Sequence, residues 1–432
     1  MSAVESPLRI AGGVIPASSK DAAQVSVTSV SVPVTEYAIP AGCHAIPVHE
    51  LDLRPDAVID QDINNPKPIS TDNVKNIFFF WHSGYESMHP YTKRNVRAHY
   101  RRLAKLGWTI YVINRVEGSP LNIANFVDVT DPALFPKAFL DGRVGGEFAP
   151  QHTSDLVRWP LLMRYGGIYT DVGQLQIGDL NWLWEETLGN PSSPYDIISY
   201  NLGPVEHRDL ANYFYAARPN NPLFFRAHKL LLALWNADGG KLSTEGMHAS
   251  PLLQGPKLIG PRFSEEVRKK LTDYIIQGYC LSQVMGLVDE EDNWDGPTYC
   301  AKHVFAIDYM VGSQLIQKFT NWSGTEAFRL MSLQLPKAGE EENEDQKKAR
   351  EIVEACLSQS YGFKLAHGYI LQVVGETLGS LWRKHDGSDN VPGTYAHWLR
   401  EGMIYWTQDK LPERLDFQVI EPYKRGPLLR EN

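Results

Sequence analysis

The apolar pattern is strongest between residues 76 and 113. Asn76 to Trp81 is a nearly continuous apolar run, as in a strand buried on both faces. Val96, Tyr100, Leu103 and Leu106 then recur at helical spacing, and Gly107 closes that stretch. Trp108 to Ile113 is a second apolar run. Strand, helix, strand at this spacing predicts a βα unit of an α/β sheet. Tyr195 to Tyr200 predicts a further strand, Leu223 to Trp235 an amphipathic helix, and Ser264 to Gly278 another helix. The region from Asp131 to Gly146 predicts a helix and a loop.

The two ends of the chain differ from this middle. Residues 1 to 75 are rich in Pro, Ser, Val and Asp and predict an irregular extension that wraps the body or trails from it. Only Val25 to Val32 alternates at period two, as one edge strand would. Residues 338 to 350 are charge-dense and run into a helix. The remainder, with Trp382, Trp398 and Trp406, predicts a helical part. The expected organisation is an extension (1–75), a sheet domain (76–335) and a helical region packed on it (336–432). No internal repeat and no GxGxxG is present.

Composition narrows the classes. The 432 residues exceed one minimal core, and 43% hydrophobic content supplies ample core material. A net charge of −9 argues against a broad nucleic-acid surface. Arg94, Arg97, Arg101, Arg102 and Lys105 nevertheless share one helix, as a solvated face or as an anion patch. Cys43, Cys280, Cys300 and Cys356 are too widely spaced for a zinc or redox motif, so free thiols are expected. No basic leader with an apolar core and no run near ~20 apolar residues is seen, which points to the cytoplasm.

The chemistry concentrates between Ser154 and Gly173. Ser154 is placed to cap a helix, and Asp155 and Arg158 lie three apart on one helical face. Gly166 and Gly167 supply a left-handed exit. Ile168 and Tyr169 form a strand, and Asp171 emerges at its carboxyl end, where ligands of open α/β sheets bind. Pro160, inside the helix, predicts a kink or a later start.

The run S-D-L-V-R-W-P-L-L-M-R-Y-G-G-I-Y-T-D resembles the sugar-binding segment of the DXD glycosyltransferases of the capsular-polysaccharide-synthesis and mannosyltransferase type, a pattern shared by the large clostridial toxin glucosyltransferases. Phe78 to Gly84 resembles their first strand and loop, Asn212 to Pro222 a later strand and turn, and Gly255-Pro256 a recurrent G-P. The resemblance implies a GT-A-like, Rossmann-like mixed sheet flanked by helices. It implies a nucleotide-sugar donor, a small-molecule or glycan acceptor, and Mn²⁺ or Mg²⁺. It places Trp81 beside the donor base, Asp155, Arg158 and Tyr169 on the donor sugar and phosphates, and Asp171 on the metal. Transfer in the best-known branches is retaining.

The chain departs from the family where the second acid of the D-x-D is Gly173. Either Asp171 alone holds the metal with donor diphosphate and water, helped by Gln174 or Asp179, or the site is degenerate and the metal is lost. The Asp289 to Asp292 cluster and Asp308 are further acids for activating an acceptor. His82, His303 and His367 read as structural. Two rival readings follow from the lost acid. One is an aminoacyl-tRNA-dependent transferase of the cyclodipeptide-synthase kind, and the other is a non-catalytic nucleotide-binding protein.

Overall fold

A computed structural model describes residues 35–203, 208–253 and 263–429. The alternating stretch Val25 to Val32 and the Gly255-Pro256 pair lie outside the described residues.

The sheet grows from the two apolar runs. Strand β1 (Asn76–Phe80) and strand β2 (Thr109–Ile113) pair in parallel, joined by helix α1 (Pro90–Leu103). Five more strands complete it: β3 (Gly167–Thr170), β5 (Ile197–Asn201), β6 (Phe214–Ala217), β7 (Val304–Asp308) and β9 (Arg414–Leu415). The order in space is β9-β7-β5-β6-β3-β1-β2. Only β6 and β9 run antiparallel to their neighbours. The carboxyl ends of β1, β2, β3, β5 and β7 therefore lie along one edge. The α/β sheet with helices on both faces matches the expected GT-A-like class.

Every residue of β1 is buried, because both faces are covered. Phe78 and Phe80 join Trp159, Leu162 and Leu231 on one face. Ile77 and Phe79 meet Val96, Leu103 and Leu183 on the other. Each such side chain contributes about 1.5–3 kcal/mol by burial. Those partners come from α1, from helix α2 (Ala149–Tyr165), from helix α3 (Pro222–Asn236), and from a short helix (Leu180–Glu186).

The expected helix over Asp131 to Gly146 shrinks to Lys137–Leu140 among turns. The helix expected over Ser264 to Gly278 breaks at Ile275, giving α4 (Glu265–Tyr274) and α5 (Ile276–Met285). Helix α6 (Glu344–Gln359) starts from Asn343 with a capping box.

A third core belongs to the C-terminal helices. Ile352, Val353, Trp382, Leu399 and Trp406 pack together with Tyr91 and Ala98 of α1. Leu315 and Leu330 already belong to it, so this layer begins before residue 336. The N-terminal extension is tied into the same side. Cys43–Ala45 pairs with Trp406–Gln408. The helix Asp56–Asn64 lies on α1 through Arg97 and Arg101, which meet Asp56 and Asp60 at 2.6–2.7 Å.

That arrangement settles the basic helix face. Arg94 pairs with the buried Asp389. Arg102 is buried and donates to the Ile177 carbonyl at 2.6 Å. Lys105 donates to the His49 carbonyl at 3.3 Å. The cations are consumed by tertiary contacts, and the anion-patch reading falls. All four cysteines are free, and among the described residues no helix is long and apolar enough to cross a membrane.

Candidate functional site

Helix α2 starts at Ala149, five residues before Ser154. Ser154 is therefore inside the helix, not its cap. Its hydroxyl is free for tertiary work, lying 2.6 Å from the Tyr169 hydroxyl and 3.0 Å from Arg158 Nη2. Pro160 neither ends nor delays the helix. One turn earlier, Gln277 Nε2 donates to the Asp155 carbonyl at 2.6 Å, an outside donor in the stretch that proline disturbs.

The helix ends as its sequence predicts. Gly166 and Gly167 take φ of +64° and +91°. A Cβ on Gly167 would come within 2.3 Å of the Asn76 carbonyl oxygen, so only glycine lets β3 approach β1 here. Four residues later Asp171 leaves the sheet, its N–H donating to the Tyr213 carbonyl at 2.9 Å.

Arg158 is the centre of the site. It is only 3% exposed. Its Nη2 lies 2.9 Å from Asp155 Oδ1 and 3.5 Å from Asp171 Oδ1. Its Nη1 donates to the Asn212 carbonyl. The guanidinium lies 4.8 Å from the centre of the Tyr169 ring, a cation–π contact. Tyr169 is fully buried, so it shapes and orients Arg158 through its ring and through Ser154.

The two acids differ in environment. Asp155 is buried, and desolvation pushes its carboxyl up to about 7, with Arg158 opposing the rise and Asp171 adding to it. Asn212 Nδ2 donates to it at 3.3 Å. The Asp171 side chain keeps 27% of its surface exposed, which makes it the acid within reach of a ligand.

Lys364 is the residue that sequence reasoning missed. It ends the short strand β8 (Gly362–Lys364), which pairs antiparallel with β4 (Gln174–Gln176), just beyond Asp171. Its Nζ lies 2.5 Å from Asp171 Oδ2 and 5.2 Å from the centre of the Tyr213 ring. Gly362-Phe363-Lys364 carries no motif, and the partner strand lies almost two hundred positions away in the chain. No local signal marks it.

Trp81 stands at the carboxyl end of β1, on the same sheet edge, half-buried. Its backbone N–H donates to the Ile113 carbonyl at 2.9 Å, and its indole N–H donates to Ser87 at 3.0 Å. Asp289, Asp292 and Asp308 have partners outside this cluster. Asp289 accepts from the Leu428 N–H at 3.1 Å, Asp292 meets Arg226 at 2.8 Å, and Asp308 caps a helix through the Val311 N–H at 2.7 Å. Asp179 likewise caps the helix at Trp182. His303 hydrogen-bonds the Pro194 carbonyl at 2.6 Å, and His367 hydrogen-bonds the Tyr91 hydroxyl at 2.6 Å. Burial pushes His367 down to about 3, so it stays neutral.

The residues present do not make a good nest for Mn²⁺ or Mg²⁺. A donor-bound Mn²⁺ or Mg²⁺ takes one or two carboxylates besides phosphate oxygens and water, so the state of Asp171 decides the fit. Among the described residues no three His, Cys, Asp or Glu side chains converge on one point. Both oxygens of Asp171 face cations instead. An acid at position 173 would not restore the nest easily, because its Cβ would meet the Leu365 carbonyl oxygen at 2.9 Å. A divalent ion 4 Å from the Lys364 ammonium would also be repelled by about 8 kcal/mol, twice the unit-charge value at an effective dielectric of 20.

Comparison with known proteins gives the family. Residues 53–240 match the family of capsular polysaccharide synthesis proteins. The O-glycosyltransferase braB of Annulohypoxylon truncatum is 30% identical over 438 residues, covering 95% of this chain and all of that one. The glycosyltransferase afumC of Aspergillus fumigatus is 33% identical over 87% of this chain and 96% of its own. The O-glycosyltransferase PaGT of Phomopsis amygdali is 33% identical over 88% and 94%. The solved PaToxG glycosyltransferase is a slight likeness, with a TM-score of 0.28 at 17% identity over 42% of this chain and 70% of that one, and bears no weight. The seven-stranded mixed sheet flanked by helices is of the GT-A-like class. This chain belongs to the glycosyltransferase family of these relatives.

Proposed function

We propose that the protein moves a sugar from a nucleoside-diphosphate sugar to a hydroxyl acceptor. The reading rests on one observation above the others. Arg158, buried and braced by Asp155, Asn212 and Tyr169, presents its fork beside the partly open Asp171 at the carboxyl edge of the sheet. A rigid guanidinium suits the charge that builds on a departing diphosphate. Asp171 is an acceptor for sugar hydroxyls at the same point. Two of the relatives carry the name O-glycosyltransferase, which supports an oxygen acceptor. Trp81, on the neighbouring strand end, offers a face for the base. The aminoacyl-tRNA and nucleotide-binding readings have no such support among the relatives.

The test is a panel of UDP- and GDP-sugars, scored by nucleoside-diphosphate release with and without hydroxylated acceptors. A nucleoside diphosphate at a hundredfold excess over its Kd is expected to stabilise the protein by about 2.7 kcal/mol. Arg158→Lys is expected to lose most of that stabilisation, because one ammonium cannot reproduce the fork. A protein that neither binds nucleoside diphosphates nor consumes any nucleotide sugar would refute the reading.

A further inference from the structure

Lys364 occupies the place where the sequence pattern calls for metal chemistry. Its ammonium is 2.5 Å from Asp171 Oδ2, while Arg158 faces Oδ1 at 3.5 Å. The position of the second acid is Gly173. A Cβ there would point at the Leu365 carbonyl, 2.9 Å away, and would sit 3.8 Å from Lys364 Nζ. Gly173 and Leu365 are joined by a backbone hydrogen bond of 2.8 Å. The chain that carries the lysine thus fills the space that a second carboxylate would need.

The lysine is held in register. Lys364 pairs with Gln174 in the β4–β8 ladder, and its ammonium lies against the Tyr213 ring. An ammonium has three N–H donors, and the contact with Asp171 uses one. The Lys364 side chain is 16% exposed beside the more open Asp171, so an anion can reach it. Asp171 pairs with Lys364, and Asp155 lies 2.9 Å from Arg158. A nucleoside diphosphate adds the anion that the partly exposed Lys364 ammonium is placed to meet, with the buried Arg158 guanidinium behind Asp171.

We propose that the Lys364 ammonium, together with Arg158, neutralises the leaving diphosphate in place of a divalent cation, so that this enzyme transfers sugar without a bound metal. The proposal rests on the glycosyl-transfer reading above. In the step, the bond between the anomeric carbon and the diphosphate oxygen breaks and its electron pair goes to the diphosphate. The acceptor oxygen bonds to that carbon and releases its proton to solvent. Lys364 and Arg158 remain protonated throughout and supply charge only. Asp171, besides accepting from the sugar, holds Lys364 in place.

The experiment uses the full chain, stripped of metal by chelator and verified by elemental analysis, with a nucleotide sugar it consumes. The expected result is undiminished turnover in EDTA and no gain from Mn²⁺ or Mg²⁺. Lys364→Met is expected to lower kcat at least a hundredfold and to weaken binding of the nucleoside diphosphate, with melting temperature used to check the fold. Lys364→Arg is expected to keep part of the activity. Lys364→Asp is expected to gain dependence on Mn²⁺, a change that loss of a merely structural lysine would not produce. If Lys364→Met does not fold, the EDTA arm and Lys364→Arg decide the matter. Loss of wild-type turnover in EDTA with recovery in Mn²⁺ would overturn the proposal and leave the glycosyl-transfer reading intact. Undiminished turnover by Lys364→Met would do the same. Failure to consume any nucleotide sugar under either condition would overturn both.

Discussion

Asp389 and Asp171 each face two cations, and they serve opposite ends. Asp389 is fully buried between Arg94 of α1 and Arg400 of helix α7 (Tyr395–Tyr405). Its burial would raise its carboxyl, and Arg400 and Arg94 more than reverse that, leaving it below the usual range. Asp171 faces Arg158 and Lys364 with about a quarter of its side chain open. The first cluster is closed and joins the C-terminal helices to the sheet domain. The second is left open at the strand ends, where charge is available to a ligand. Similar inventories of charge thus become a staple or a site according to what covers them.

The contrast is sharpest at Asp389. Asp389→Ala strands two arginines, one of them almost fully buried, and is expected to cost about 3–5 kcal/mol of folding stability. Nucleoside-diphosphate affinity, measured on the folded fraction, should barely change. Chemical denaturation and calorimetric titration on one preparation check both halves. A loss of affinity larger than the loss of stability would break the distinction between staple and site.

Asp171→Asn reverses the pattern. It keeps the shape and part of the hydrogen bonding at a partly open position. Turnover is expected to fall on the order of 10²–10³-fold, the usual effect of removing one electrostatic contributor. The melting temperature should hold within a few degrees. Full turnover by a well-folded variant would remove Asp171 from the site.

The pH response of Asp155 probes the buried side of the same cluster. Its folded carboxyl sits near 7 because burial raises it from 3.8. Between those values the folded protein holds a proton that the unfolded chain has shed, so this group's contribution to stability falls as pH rises through the window. The wild type should therefore lose stability from about pH 4 to pH 7 relative to Asp155→Asn. Parallel denaturation series for the two proteins measure it, and equal slopes would mean that Asp155 is ionised throughout.

The smallest effect is expected at Tyr169→Phe. It removes the 2.6 Å contact with Ser154 and keeps the ring under Arg158. The cost should be about 0.5–1.5 kcal/mol of stability. Nucleotide affinity should fall only severalfold. A loss as large as that of Asp171→Asn would make Tyr169 a donor contact instead of a support.

Much of the centre of this protein is written locally. The apolar runs at Asn76 and Trp108 read as buried strands and Gly166-Gly167 as a helix exit, and both form as read. Asp155 and Arg158 lie within one helix and Asp171 just past the strand that follows it, so this short stretch of chain brings them together. The start of α2 was not legible, because a serine inside a helix and a serine at its cap look alike until the neighbours that take its hydroxyl are known. The arginines of α1 looked like a free face, because their partners, Asp56, Asp60 and Asp389, come from distant segments. Lys364 was invisible for the same reason. A hydrogen-bonded ladder between β4 and β8 sets it on Asp171, and pairing across that length of chain leaves no period in the sequence. Local chemistry thus determined which acid and which arginine meet, and the tertiary structure decided which cation completes them, because charge pairs form by proximity in space and not along the chain.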